Sequence, residues 1–85
     1  MSPDPIYLAN VSSAMMDAVR EAQELVEEGE VGAPLADVVR HARELHDIMV
    51  EELEGARRLT GEYAGGLLLE VGARLESLEQ YLTAN

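Results

Sequence analysis

The sequence predicts an all-α protein built from three amphipathic helices. Apolar residues recur at alternating intervals of three and four positions through most of the 85-residue chain, which places them on one face of an α-helix. Helix-breaking residues interrupt this pattern at 29–34 and 60–61, as expected for connections between helices. We therefore expect helices at about 5–28, 34–59 and 61–82, packed as an antiparallel helical bundle.

The first predicted helix follows a short leader, residues 1–4. Asp4 is placed to accept hydrogen bonds from the free amides of the first turn, and Pro5 suits the first helical position. Residues 29–33 are the predicted linker to the second helix. The apolar stripe of the first helix consists of Leu8, Val11, Met15, Ala18, Ala22 and Leu25.

The second predicted helix carries both histidines of the chain. His46 falls inside its apolar stripe and is therefore expected to be half-buried. On the polar side, the i,i+4 spacing predicts surface pairs of Arg40 with Glu44 and of Arg43 with Asp47. The stripe consists of Leu35, Val38, Val39, Ala42, Leu45, Met49, Val50, Leu53 and Ala56.

The third predicted helix has two apolar faces. Beside its main stripe, Gly65, Leu69 and Gly72 lie at i, i+4 and i+7, and glycines inside a helix usually permit a close approach of another element. That element is either the first helix of the same chain or a second copy, and the otherwise exposed Leu69 favours the second copy. A continuous helix through Thr60 and Gly61 is an open alternative. The main stripe consists of Ala64, Leu68, Val71, Leu75, Leu78 and Leu82.

Charge and composition exclude several classes of function. The formal net charge is −11, with seventeen acidic residues against six arginines and no lysine, so we expect neither nucleic-acid binding nor attachment to an anionic membrane. Without cysteine the chain has no thiolate nucleophile and no cysteine-ligated metal site. No signal-peptide pattern opens the chain, and its longest apolar run, residues 63–69, is too short to span a bilayer. The expected location is the cytoplasm.

The second helix also holds the residues that most resemble a metal site. Asp37, His41 and Glu44 share one helical edge and are of the types that ligate metals. The other helices lack the matching carboxylate and histidine motifs that di-metal bundles use. We therefore predict a solvated polar face here, with no metal and no cofactor.

The composition of the core predicts association. The chain is short and has neither Phe nor Trp, so its leucine- and alanine-rich core buries little surface per helix pair. Oligomerisation, with a dimer as the expected form, would add the missing burial. The predicted interface residues are Gly65, Leu69, Gly72, Met49, Val50 and Met16.

The segment Ala42–Asp47, Ala-Arg-Glu-Leu-His-Asp, resembles the H-box of sensor histidine kinases, and Leu53 occupies the place of a leucine in that motif. The resemblance implies that His46 accepts a phosphoryl group, that Asp47 assists it, and that the second and third helices form a dimerisation hairpin. The chain departs from the family at Val50 and Glu51, where Gly-Gln or Gly-His is common. In the structural alternative, His46 packs at an interface against neighbouring apolar side chains.

These observations predict a protein–protein interaction module, such as an adaptor, chaperone, inhibitor or assembly subunit, that self-associates or binds a protein partner. No complete catalytic set is present, so we do not expect an enzyme. The alternative is a histidine-phosphotransfer and dimerisation module built on His46.

Overall fold

The structure, a computed structural model, describes residues 4–55 and 62–84, with side-chain surroundings for 4–54 and 66–84. Three α-helices account for nearly all of them: α1 (Pro5–Glu27), α2 (Ala33–Gly55) and α3 (Glu62–Ala84). The described part of the chain contains no strand, and the predicted all-α fold is confirmed. The boundaries expected at residues 59 and 61 lie outside the described residues.

The start of α1 follows the local chemistry of the sequence. The Asp4 side chain accepts a hydrogen bond from the backbone N–H of Ile6 at 2.9 Å, and Pro5 occupies the first helical position. This cap satisfies one of the amides that the first turn leaves without a helical partner.

The end of α1 is a Schellman motif. Gly29 has φ of +80°, a left-handed conformation that glycine adopts without steric cost. The N–H of Gly29 donates to the carbonyl of Val26 at 3.0 Å, and the N–H of Glu30 donates to that of Leu25 at 2.9 Å. The chain therefore reverses within a few residues, and α2 can pack antiparallel to α1.

The core lies between all three helices. α1 and α2 share the longest seam, and α3 contacts α2 more extensively than it contacts α1. The buried side chains are almost all leucine, valine, alanine and methionine from the predicted stripes. They are Val11, Met15, Ala18, Val19, Ala22, Leu35, Val39, Ala42, Met49, Leu53, Leu68, Val71, Leu75 and Leu78.

α2 and α3 fold back on one another. Nε2 of His46 lies 3.0 Å from the carbonyl oxygen of Leu68, whereas one continuous helix would place these residues about 33 Å apart. The alternative of a single long helix is therefore excluded. Within the described residues, no helix combines the length and the apolar character needed to cross a bilayer.

Candidate functional site: the seam between α2 and α3

His46 lies in the seam between α2 and α3, with its side chain 12% exposed. Its position inside the apolar stripe of α2 directs the ring toward α3. There Nε2 contacts the backbone carbonyl oxygen of Leu68 at 3.0 Å. Because a carbonyl oxygen only accepts hydrogen bonds, Nε2 carries the hydrogen in this contact. The expected half-buried histidine is present, and it links two helices of the same chain.

Gly72 creates the space that the ring occupies. A Cβ atom added at this position would lie 3.3 Å from Nε2 and 3.8 Å from Cε1 of His46. Gly72 therefore allows α2 to approach α3 closely. The atoms that a Cβ at Gly72 would meet belong to α2, and none of them belongs to α1, the helix of the same chain that the sequence had suggested. Gly65, about two turns earlier in the predicted face, lies outside the residues whose surroundings are described.

The other ring nitrogen of His46 faces its neighbour in sequence. Nδ1 lies 3.4 Å from Oδ1 of Asp47, whose side chain is largely exposed. In the neutral ring Nδ1 carries the lone pair, and in the protonated ring it donates to this carboxylate. The pair implied by the H-box resemblance is thus adjacent in space, but Nε2 is engaged with the backbone of α3.

One turn before His46, Arg43 forms a forked ion pair with Glu79 of α3. Nε donates to Oε2 at 3.1 Å and Nη2 donates to Oε1 at 2.7 Å. The expected pairing of Arg43 with Asp47 is therefore replaced by a bond between helices. Likewise, Arg40 pairs with Asp37 at 2.9 Å and not with Glu44.

This ion pair changes the protonation behaviour of both groups. The hydrogen bond from Arg43 lowers the pKa of the Glu79 carboxyl below its ordinary value, with the nearby charges of Arg43 and His46 adding to the effect. The same hydrogen bond raises the pKa of Arg43. Both side chains are still partly exposed, so the pair stabilises the seam modestly, by about 1 kcal/mol or less.

The predicted interface residues divide between surface and core. Leu69 is 77% exposed and Met16 is 37% exposed, whereas Val50 is half-buried. Met49 is 6% exposed and belongs to the core of the single chain, because its position on α2 points between the helices. In this conformation it has almost no surface to offer a partner.

Three further large apolar side chains are exposed that the sequence reasoning did not select: Ile6, Tyr7 and Val31. Ile6 and Tyr7 lie in the first turn of α1, and Val31 lies in the linker. Their exposure could have been inferred from the sequence, because they lie outside the predicted apolar stripes and close to the ends of predicted helices.

The edge formed by Asp37, His41 and Glu44 is a solvent-exposed face of α2. All three side chains are exposed, and the Asp37 carboxylate pairs with Arg40. Among the described residues, no group of three or more His, Asp and Glu side chains is arranged to hold an ion.

The chain matches no protein-family model, no curated protein and no solved structure.

Proposed function

We propose that this chain is a non-catalytic, acidic helical module that self-associates through the face of α3 centred on Leu69. The observation that carries the proposal is the 77% exposure of Leu69 in the middle of a helix whose other leucines are largely buried. Burying a leucine side chain contributes about 1.5–3 kcal/mol. A second copy covering this face would recover part of that free energy in both chains.

The helix surface around Leu69 suits a close contact. Gly72 lies three residues later on α3, but its open side faces the ring of His46, so it borders the Leu69 face without adding a side chain to it. Val50 of α2, also predicted at the interface, is half-buried. A two-fold interface would use this same patch from both copies.

The negative charge of the chain opposes this association and makes the affinity of the dimer depend on salt concentration. Each copy carries a formal charge of −11, so two copies repel one another at low ionic strength. Salt screens this repulsion over a length of about 8 Å at 0.15 M. An apolar dimer of this protein should therefore become tighter as salt is added.

The test is the molar mass in solution, measured by light scattering or sedimentation over a range of salt concentrations. We expect a dimer for the wild type and a monomer for Leu69→Glu. Ser13→Glu is the control, because it adds the same charge at an exposed position on α1. A wild-type chain that stays monomeric at high salt, or equal effects of the two substitutions, would contradict self-association.

Gly72→Leu is a poor probe of the same face. The new side chain would meet the ring of His46 inside the chain, so a loss of association would not distinguish an interface from a disturbed seam. Leu69→Ala is the better second variant, because it removes apolar surface without adding a charge.

The alternative function, phosphotransfer through His46, has weaker support. The H-box resemblance and the adjacent Asp47 favour it. However, a phosphoacceptor nitrogen needs an accessible lone pair, whereas Nε2 donates to Leu68 and the side chain is 12% exposed. Phosphotransfer would therefore require the seam between α2 and α3 to open, and the phosphoryl donor would be another protein.

A further inference from the structure

A groove runs between α1 and α3 on the surface of the described part of the bundle. It contains two adjoining depressions of about 300 and 310 Å³, and both are lined by Gln23 of α1 and Arg74 of α3. The remaining described lining residues are Met16 and Arg20 in one depression and Val26, Ser77, Leu78 and Tyr81 in the other.

The charged side chains among the described residues that line this groove are both arginines. Arg20 and Arg74 line the same depression, and no carboxylate is among the described residues that line either half of the groove. The chain as a whole has a formal charge of −11. For comparison, the depression near the end of α3 is lined by Glu76 and Glu79. The groove therefore presents two guanidinium groups on an acidic protein, each paired with a carboxylate of its own helix that does not line the groove.

Both arginines retain capacity for another partner. Arg20 pairs with Asp17, and Arg74 pairs with Glu70 at 2.9 Å. Each pair joins exposed side chains of one helix, and such pairs are weak because water and salt screen them. A guanidinium has five N–H donors. Because Arg20 and Arg74 line the same depression, a carboxylate placed there would have guanidinium donors from both helices.

Apolar surface lies at both ends of the groove. Met16 lies at one end, and Val26, Leu78 and Tyr81 lie at the other. The stretch of α1 from Met16 to Val26 is about 15 Å long, which matches roughly three turns of a docked helix. Grooves between neighbouring helices commonly receive the apolar face of an amphipathic helix.

We propose that the groove between α1 and α3 binds an acidic amphipathic helix of a partner protein. One carboxylate of that helix bridges Arg20 and Arg74, and its apolar side chains cover Met16 and the surface around Leu78. This inference rests on the proposal that the chain is a non-catalytic interaction module, and it adds a partner protein of stated chemistry. It concerns a surface different from the Leu69 face, so either proposal can fail without the other.

The first experiment compares two peptides of opposite charge. One labelled peptide of about 14 residues, about 21 Å long as a helix, has leucine at i, i+3, i+4 and i+7 and glutamate at the flanking positions. The matched peptide has lysine in place of every glutamate. Fluorescence anisotropy at about 0.15 M salt should show tighter binding of the glutamate peptide, although the net charge of the protein favours the lysine peptide.

The second experiment locates the site with single substitutions. Arg74→Gln and Arg20→Gln should each weaken binding of the glutamate peptide about tenfold, as expected for the loss of a charge-assisted hydrogen bond. Arg40→Gln is the matched control, because Arg40 also pairs with an aspartate on its own helix but lies outside the groove. Unchanged melting curves would show that the variants remain folded. Leu69→Glu should leave binding of the peptide unaltered.

Three outcomes would overturn the inference. These are binding of the glutamate peptide that is no tighter than that of the lysine peptide, an equal loss with Arg40→Gln, and a dimer of the chain itself that Arg74→Gln dissociates. The last outcome would place a second copy in the groove. A monomeric wild type that binds the glutamate peptide would uphold the groove and contradict self-association through Leu69.

Discussion

The ring of His46 lies where a side chain of residue 72 would otherwise extend. A Cβ at Gly72 would be 3.3 Å from Nε2, and this same nitrogen reaches the carbonyl of Leu68 at 3.0 Å. A glycine inside a helix costs about 1 kcal/mol relative to alanine. The hydrogen bond and the burial of the ring offset part of this cost, so the two residues are energetically coupled.

Gly72→Ala should therefore be less favourable than the same substitution at Gly66. Both glycines lie in α3, but a Cβ at Gly66 would have no atom within 4 Å. We expect Gly66→Ala to raise the free energy of unfolding by about 0.5–1 kcal/mol. Gly72→Ala should give no increase or a decrease, because the ring of His46 must move by a few tenths of an ångström. Urea denaturation of both variants measures the difference.

A double-mutant cycle would separate this contact from the helix propensity. In a His46→Ala background, Gly72→Ala should recover most of the gain seen at Gly66, since the obstructing ring is absent. Equal stabilisation by both alanines in the wild-type background would show that Gly72 does not accommodate His46.

The ion pair between Arg43 and Glu79 predicts a specific dependence of stability on pH. Because the pKa of Glu79 is lowered in the folded chain, this carboxylate stabilises the fold above its unfolded pKa of about 4.3. That contribution is lost as the pH falls through the lower pKa of the folded state. Glu79→Gln should reduce the free energy of unfolding by about 1 kcal/mol or less near pH 7.

The quantity to measure is the difference in melting temperature between wild type and Glu79→Gln. For a chain of this size a loss of 1 kcal/mol lowers the melting temperature by about 4–8 °C. The difference between the two proteins should be constant above pH ~5 and should shrink below pH ~4. Asp37→Asn is the control, because it breaks the exposed pair with Arg40 inside one helix. A difference for Glu79→Gln that is independent of pH would contradict the assigned shift.

The turn after α1 allows a prediction that depends on backbone conformation alone. Gly29 has φ of +80°, and a Cβ there would meet no atom within 4 Å. Gly29→Ala should nevertheless lower the free energy of unfolding, by about 1 kcal/mol, since non-glycine residues rarely adopt this φ. Gly66→Ala, with helical φ and similar open space, should have the opposite sign. Chemical denaturation of the two variants checks both signs.

The helices were predictable because their signals are local. The periodic stripes, the Asp4 cap and the break at Gly29 each involve residues a few positions apart, and the predicted C-terminal ends of α1 and α3 agree with the structure to within about two residues. His46 was correctly expected to be half-buried for the same reason, since its place in the stripe follows from the sequence.

The contacts of the seam were not predictable, because they depend on the register between helices. Arg43 has a suitable carboxylate at Asp47 within its own helix, and nothing local shows that Glu79, distant in sequence, binds it in a fork. In the same way, the sequence identified Gly72 as a site of close approach but did not identify α2 as an element that approaches it. An offset of one turn between α2 and α3 would pair different residues.

The two histidines should differ in chemical reactivity. His41 is exposed on α2, whereas His46 is half-buried in the seam. Diethyl pyrocarbonate, followed by mass spectrometry of peptides, should modify His41 first and His46 more slowly. Gly72→Leu, which displaces the ring, should raise the rate at His46 and leave that at His41 unchanged. Equal rates for the two histidines in the wild type would contradict the seam geometry.

The same geometry bears on phosphorylation of His46. With Nε2 bonded to Leu68, the folded wild type should acquire no acid-labile label from a phosphorylated receiver protein or a histidine-kinase catalytic domain. His46→Gln and His41→Gln are the matched variants, since each removes one imidazole from α2. A label that His46→Gln abolishes and His41→Gln preserves would support phosphotransfer in place of the non-catalytic module. In that event the seam must open, and Gly72→Leu should increase labelling, because it displaces the ring from Leu68.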